Sequence, residues 1–184
     1  MLEALVLAAI ILLLPACGVP LPIVFISFFL WLLLCIPGFV LTARFAPPFV
    51  PTPRKIWKEM VDAANLQLGD IVYDLGCGDG RLLLAAAHRG AKAIGYEYSI
   101  PTYLLAKART LFHKNVDVRF GDFWKQDFRD ADVIFCYLFP EPMERVYKEI
   151  WPTLKPGTKI ISHAFRIKAL APVNTEHTFF AYIR

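Results

Sequence analysis

Hydrophobic and polar positions divide this chain into two regimes. From Leu2 to Thr42 the sequence is almost uninterruptedly apolar apart from Glu3 and Ser27, and is broken by Pro15, Gly18, Pro20, Pro22 and Pro37-Gly38. From Arg54 onward, short apolar runs of strand length alternate with segments of helical spacing. Ile56, Met60 and Ala64 repeat every four residues beside Trp57 and Val61, which predicts a helix over Arg54 to Leu66. Ile71 to Leu75 reads as a strand, Gly76 to Gly80 as a loop, and Arg81 to Arg89 as a helix stopped by Gly90.

The alternation continues. Ala91 to Tyr96 is a second strand, followed by a helix with Ser99 as its cap and Pro101 in its first turn, running to about Lys114. Val116 to Phe120 is a third strand. Asp132 to Leu138 is a fourth, apolar on both faces as a central parallel strand is. A helix from about Pro142 to Ile150, a turn at Lys155-Pro156-Gly157, a strand over Thr158 to Phe165 and a last strand over Thr178 to Tyr182 complete the series. This order predicts an α/β fold with a doubly wound, mostly parallel, Rossmann-like sheet, and it puts ligands at the carboxyl ends of the strands.

The apolar N-terminus asks for a different solvent. Leu21 to Thr42 spans 22 residues without a charge, roughly 33 Å as a helix and enough to cross a bilayer. Leu2 to Ala16 is shorter, and is read as the first limb of a hairpin or re-entrant element. A signal peptide fits poorly, because the start Met1-Leu2-Glu3 is acidic rather than basic. The expected organisation is therefore a membrane anchor over residues 1–43 (one span at about 21–42, or a hairpin with 2–16), a proline-rich linker over 44–53, and one domain over 54–184.

Composition sharpens this division. The chain is 57% hydrophobic and 20% charged, which excludes a disordered tail and an ordinary soluble globule. Glu3 is the only charge in residues 1–43, so the remainder is one unit more positive than the whole chain's +4. That is mildly basic, with no Lys/Arg run longer than Arg54-Lys55, and gives no footprint for nucleic acid. Arg44, Arg54, Lys55 and Lys58 follow the apolar tract and predict an inner or cytoplasmic membrane location with the domain facing the cytosol. Cys17, Cys35, Cys77 and Cys136 show no paired spacing, and His88, His113, His163 and His177 are scattered; neither a metal nor a disulfide is expected.

The chemistry gathers after the first strand. Asp74-Leu75-Gly76-Cys77-Gly78-Asp79-Gly80-Arg81 has alternate glycines that permit a tight turn and close approach to a ligand. The dinucleotide fingerprint would need glycine where Arg81 stands. Carboxylates at Asp74 and Asp79 would repel a pyrophosphate, but they suit a phosphate-free nucleoside ligand carrying positive charge, such as S-adenosylmethionine. Glu97 ends the second strand, where an acid reaches ribose hydroxyls. Asp122 and Phe123 follow the third, where an acid accepts from an adenine amine and a ring packs against the base. Each has a plainer reading: a tight turn for the loop, a helix N-terminal charge for Glu97, a turn residue for Asp122. Three acids at three consecutive strand ends favour the ligand.

The stretch DLGCGDGR, with Glu97 and Asp122, resembles the class I S-adenosylmethionine-dependent methyltransferases. In order, FVPTP, DLGCGDGR, GYEYS, GDFWK, YLFPEPM and LKPGTKIISHAF resemble the membrane-anchored protein-lysine methyltransferases of the FAM173 type, over about residues 49–184. That family includes mitochondrial enzymes acting on the c-ring protein of ATP synthase and on the adenine nucleotide translocator. The chain departs from it in carrying Cys77 where relatives often have serine, and in a short C-terminus. The resemblance implies that Asp74, Gly76, Gly78, Asp79 and Gly80 hold the methionine end of the cofactor, Glu97 the ribose, and Asp122 with Phe123 the adenine.

Methyl transfer needs an aligned nucleophile and excluded water rather than a metal, and a lysine must lose its proton to react. Tyr137 is expected to line the amine channel and Glu141 to attract the incoming ammonium. The plainer reading makes Tyr137 and Phe139 core aromatics and Glu141 a first-turn acid. Thr52 and Pro53 are expected either to close over the cofactor or to be simple linker. A tethered domain meets membrane-proximal targets at high effective concentration, so the expected substrate is a lysine of a protein in or near the membrane. A lipophilic small molecule, bound near Phe45, Phe49 and Trp57, and a non-catalytic cofactor-binding module are the alternatives.

Overall fold

The computed structural model describes residues 20–30, 50–174 and 178–184. The chain divides into two compact units, Met1–Pro48 and Phe49–Arg184. In the first unit a helix covers residues 21–30 (α1) and carries exposed Leu21, Ile23, Phe25, Ile26, Phe29 and Leu30. The expected limb over 2–16 and the rest of the expected span, 31–42, lie outside the described residues. Among those described, no helix is long and apolar enough to cross a membrane.

The second unit is an α/β sandwich. Its elements run α2 (Arg54–Ala64), β1 (Ile71–Leu75), α3 (Arg81–Ala87), β2 (Lys92–Glu97), α4 (Ile100–Thr110), β3 (Val116–Phe120), β4 (Val133–Cys136), α5 (Pro140–Arg145), β5 (Lys159–His163) and β6 (Phe179–Ile183). The sheet order is β3-β2-β1-β4-β5-β6. All neighbours are parallel except β5 and β6, which pair antiparallel with Ile161 opposite Ala181. Strand order reverses at β1, flanked by β2 on one side and β4 on the other. Residues leaving the carboxyl ends of β1, β2 and β4 therefore face a common crevice.

Alternation along the strands separates two cores. Val72, Ala93, Val118, Phe135 and Ile161 face α2, α3 and α4 and bury Met60, Val61, Leu83, Ala86 and Ala106. Tyr73, Leu75, Tyr96, Ile134 and Ile160 face the other way and bury Phe128, Met143, Val146, Ile150, Ile167 and Tyr182. The fully buried positions of helix α4 are the small residues Ala106 and Thr110, with Tyr103 packed against the core at the margin.

Three local expectations are adjusted. Ser99 occupies the cap position of α4, but its hydroxyl accepts from Thr102 Oγ1 at 3.0 Å and caps no backbone N–H. The helix expected over 142–150 begins earlier, at Pro140, where a missing N–H costs nothing, and continues as a π turn over Val146–Ile150 and a 3₁₀ turn over Trp151–Thr153. The fifth strand stops at His163 because Ala164 takes a left-handed φ of 61°.

Candidate functional site

The loop after β1 is built by three left-handed glycines. Gly76, Gly78 and Gly80 have φ of 81°, 56° and 77°, a conformation that costs other residues roughly 1–2 kcal/mol each. Gly76 and Cys77 both donate to the Tyr96 carbonyl, at 3.0 and 2.9 Å, and this pins the loop to the end of β2. A Cβ on Gly76 would meet nothing within 4 Å, so its outer side is open to a ligand. Gly95 has the opposite environment. A Cβ there would lie 2.5 Å from Leu83 Cδ1 and 2.6 Å from Cys77 Cβ. Gly95 therefore lets the loop lie directly on β2, a requirement that no pattern in the sequence signals.

Glu97 closes the loop from the next strand. Its Oε2 accepts from Gly78 N at 3.0 Å and its Oε1 from Ser99 N at 2.8 Å. Burial raises its pKa above the ordinary carboxylate value, against the pull of these backbone donors. Asp79 is also buried, but its charge is answered. Arg81 binds it with two nitrogens, Nε at 2.8 Å and Nη2 at 2.6 Å. Arg109 of α4 binds it too, through Nη1. Burial alone would raise the Asp79 pKa; the two guanidiniums outweigh it and hold the group below the usual value. The structure thus gives the Asp79 carboxylate a loop-anchoring position between two arginines. Arg81 Nη1 also donates to the Thr52 carbonyl at 3.0 Å, and Thr52 is buried, so the end of the linker is tied to the same loop.

Asp74 is buried like Asp79 but has no counter-charge among the described residues. It is 4% exposed, and no donor among those residues hydrogen-bonds its carboxylate. Burial, then repulsion from Glu97 and Asp79, pushes its pKa up to about 8. A buried acid in this state is suited to a cationic ligand group, which would restore the charged form. The ammonium of an amino-acid-bearing nucleoside has the required charge, and the space beside Gly76 gives it access.

At the end of β3, Asp122 Oδ1 accepts from Trp124 N at 3.0 Å and caps the 3₁₀ turn Phe123–Lys125. The Phe123 and Trp124 rings lie 4.5 Å apart, and the Arg145 guanidinium sits 4.1 Å from the Trp124 ring centre. The turn reading of Asp122 and its placement at the third strand end hold together, because the cap uses one oxygen.

After β4 the chain leaves the sheet and exposes Tyr137 and Phe139. The plainer reading of these two as core aromatics is set aside. The Tyr137 ring lies 4.5 Å from that of His163 and 6.3 Å from that of Phe165, while Phe139 lies 5.7 Å from Phe165. His163 is held through Nδ1 to the Thr178 carbonyl at 2.8 Å. A tight turn about Ala164, with Phe165 N donating to His163 O at 2.7 Å, brings Phe165 into the group. Glu141 stands exposed in the first turn of α5. His163 and Phe165 were not among the sequence candidates; the run Ser162-His163-Ala164-Phe165 ending a strand was their only signal. Of the side chains considered for an apolar pocket, Trp57 is packed against the core, and Phe45 and Phe49 lie outside the described residues. Among the described residues no three His, Cys, Asp or Glu gather as metal ligands.

The family model of the ANTKMT methyltransferase domain matches residues 74–174. A protein-lysine N-methyltransferase of Saccharolobus islandicus (strain REY15A) is 34% identical over 151 residues, covering 74% of this chain and 92% of that protein. The Mus musculus adenine nucleotide translocase lysine N-methyltransferase is 28% identical over 155 residues, covering 78% of this chain but only 65% of its own length. Among solved structures, an RNA methyltransferase from Salinibacter ruber in complex with S-adenosyl-L-homocysteine superposes with a TM-score of 0.70 at 30% identity, covering 73% of this chain and 93% of that one.

Proposed function

The chain belongs to the ANTKMT methyltransferase-domain family, and from that premise we propose that it is an S-adenosylmethionine-dependent protein-lysine N-methyltransferase acting on a protein in or near a membrane. The observation that carries the cofactor reading is Asp74, a buried carboxylate with a pKa near 8 and no cationic partner among the described residues. Beside it stands a second acid, Asp79, whose charge is already answered by Arg81 and Arg109.

The residues divide the work by strand. Asp74 would receive the ammonium of the cofactor's methionine end, with Gly76, Gly78 and Gly80 giving the backbone room. Asp79 acts by holding Arg81, Arg109 and so the loop. Glu97 would turn toward the ribose hydroxyls, and Asp122 with Phe123 toward the adenine. When bound, the cofactor supplies an electrophilic methyl group. The chain's own task is then to align and desolvate an amine. Tyr137, Phe139 and Phe165 offer ring faces to a positively charged or methylated ammonium, His163 steadies Tyr137, and Glu141 draws the lysine from solvent. The ring faces favour the ammonium on arrival and the methylated product, whereas loss of water around the amine lowers its pKa and favours the neutral nucleophile.

The membrane part rests on the apolar tract. Helix α1 exposes six large apolar side chains without a charge, and Arg54, Lys55 and Lys58 open the domain that follows. We read residues 1–43 as an anchor that holds the domain at the cytosolic face.

A labelled-methyl assay tests the reading. Full-length protein is incubated with tritiated S-adenosylmethionine and membranes from cells lacking the gene, and protein, lipid and RNA fractions are counted separately. Label in a membrane protein, recovered as methyl-lysine and lost with Glu97→Ala, supports it. Label in the lipid fraction favours a lipophilic small-molecule substrate. Label removed by ribonuclease favours RNA, the substrate named for the Salinibacter structure.

A further inference from the structure

Helix α4 is inside out for a solvent-facing helix. Its buried side consists of Ala106 and Thr110, with Tyr103 packed at the margin. At about 100° per residue, Ile100, Leu104 and Ala108 fall in one outward arc that Leu105 widens, and Leu111 at the C-cap and Phe112 in the turn that follows extend the apolar surface beyond the helix. Their exposures are 59% for Ile100, 58% for Leu104, 48% for Leu105, 71% for Leu111 and 89% for Phe112. Single exposed apolar side chains are common, but a contiguous strip of this kind marks an interaction surface.

The charges around the strip are of one sign. Residues 100–114 contain Lys107, Arg109 and Lys114 and no acid. On the helical projection Lys107 borders the strip and Lys114 lies just beyond its end, while Arg109, on the opposite side, is paired with Asp79. An apolar arc rimmed by basic side chains is the pattern of a helix lying in a lipid interface, where the rings and branched chains enter the acyl boundary and the ammonium groups reach headgroup phosphates. A second copy of the chain fits less well, because a symmetric contact through this strip would bring Lys107 and Lys114 toward their own copies.

We propose that the outer face of α4 and the turn that follows it, from Ile100 to Phe112, dock on an anionic lipid surface. The argument rests on α4 and stands apart from the reading of residues 1–43 as an anchor. Docking here has a consequence for the site. Helix α4 starts three residues after Glu97, and Arg109 on it holds Asp79 of the glycine loop. A lipid-bound α4 would therefore keep the cofactor-side strand ends at the bilayer margin, where a lysine on a membrane protein emerges.

The test maps lipid contact along the chain. The full chain is reconstituted into phosphatidylcholine vesicles with or without phosphatidylglycerol, each containing a trace of phosphatidylcholine with an acyl-chain diazirine. After irradiation, adducts are assigned by mass spectrometry. Adducts are expected on peptides covering residues 100–112, more abundant with phosphatidylglycerol. In the triple variant Leu104→Gln, Leu111→Gln, Phe112→Gln they should fall roughly tenfold, because each apolar side chain removed from the interface weakens partition severalfold. All three positions are exposed, and an unchanged thermal shift by S-adenosylmethionine confirms that the variant is folded. Adducts confined to N-terminal peptides would overturn the proposal. So would sedimentation showing a concentration-dependent dimer in detergent that the triple variant abolishes, since a second copy would then own the strip.

Discussion

Glu97 Oε2 accepts the backbone N–H of Gly78 at 3.0 Å, across nineteen residues of sequence. The acid at the end of β2 is therefore a clamp on the glycine loop before it meets any ligand, and its Oε1 is engaged by Ser99 N as well. Glu97→Gln keeps the shape but presents an amide N–H to one of these donors, losing a charge-assisted bond of about 1.5–3 kcal/mol. Cofactor affinity measured by calorimetry should fall about tenfold to a hundredfold in Glu97→Gln and further in Glu97→Ala. Unchanged affinity in both would remove Glu97 from the site.

Asp74 predicts a pH dependence with a definite sign. Its folded pKa is near 8 against an ordinary 3.8, chiefly from burial. The stability it contributes is fully present below the ordinary value and is lost as pH rises toward about 8. Asp74→Asn, which is neutral at every pH, should therefore raise the melting temperature of the ligand-free protein most at pH 8 and above, while abolishing cofactor binding. A cationic ligand favours the carboxylate, so wild-type binding between pH 6 and 8 should release a proton, read as a dependence of the binding heat on buffer ionisation enthalpy. A binding heat independent of buffer would contradict the pairing.

Asp79 should behave in the opposite way. Burial opposes its ionisation, yet Arg81 and Arg109 hold its pKa below the ordinary value, so its contribution is present above about pH 4 and is lost on acidification. Asp79→Asn leaves two guanidiniums facing a neutral amide and should cost about 3 kcal/mol in denaturant unfolding at pH 7. Arg109→Ala, with its side chain 40% exposed, should cost roughly 1 kcal/mol. Equal stability of Asp79→Asn and wild type would show that the ion pairs are incidental.

Gly95→Ala tests how closely the loop lies on β2. The new methyl would fall 2.6 Å from Cys77 Cβ and 2.5 Å from Leu83 Cδ1, an overpacking that costs roughly 1–3 kcal/mol. We expect lower stability together with weaker cofactor binding, because the displaced residue belongs to the loop itself. Gly157→Ala is the comparison: its left-handed φ of 89° adds strain, but a Cβ there meets nothing within 4 Å, so stability alone should fall.

The aromatic group at the ends of β4 and β5 should govern turnover rather than cofactor affinity. Phe165→Ala removes a ring from both Tyr137 and Phe139, and is expected to lower kcat/KM for methyl transfer about tenfold to a hundredfold, with the calorimetric cofactor affinity unchanged. Tyr137→Phe keeps the ring face and should retain most activity. Loss of activity in Tyr137→Phe would instead make the hydroxyl the working group.

Strand–helix alternation, the carboxyl-end rule and the acids after three successive strands were legible along the chain, because periodicity and turn chemistry are local properties. Asp74, Glu97 and Asp122 stand at those strand ends for that reason, and Gly76, Gly78 and Gly80 have the left-handed backbone that alternate glycines suggest. What each acid faces was decided by packing. Asp79 and Asp74 look equivalent in DLGCGDGR, yet one meets Arg81 and, from thirty residues away, Arg109, while the other is buried without a cation among the described residues. Gly95 matters only because the loop folds onto it, and His163 reaches Tyr137 only because β4 and β5 are neighbours. For α4 the sequence predicted a helix after Ser99 and Pro101 without saying which side met the sheet. The close approach of Gly80 to Ala106 and Thr110 admits only its small side, and so the large apolar residues face outward.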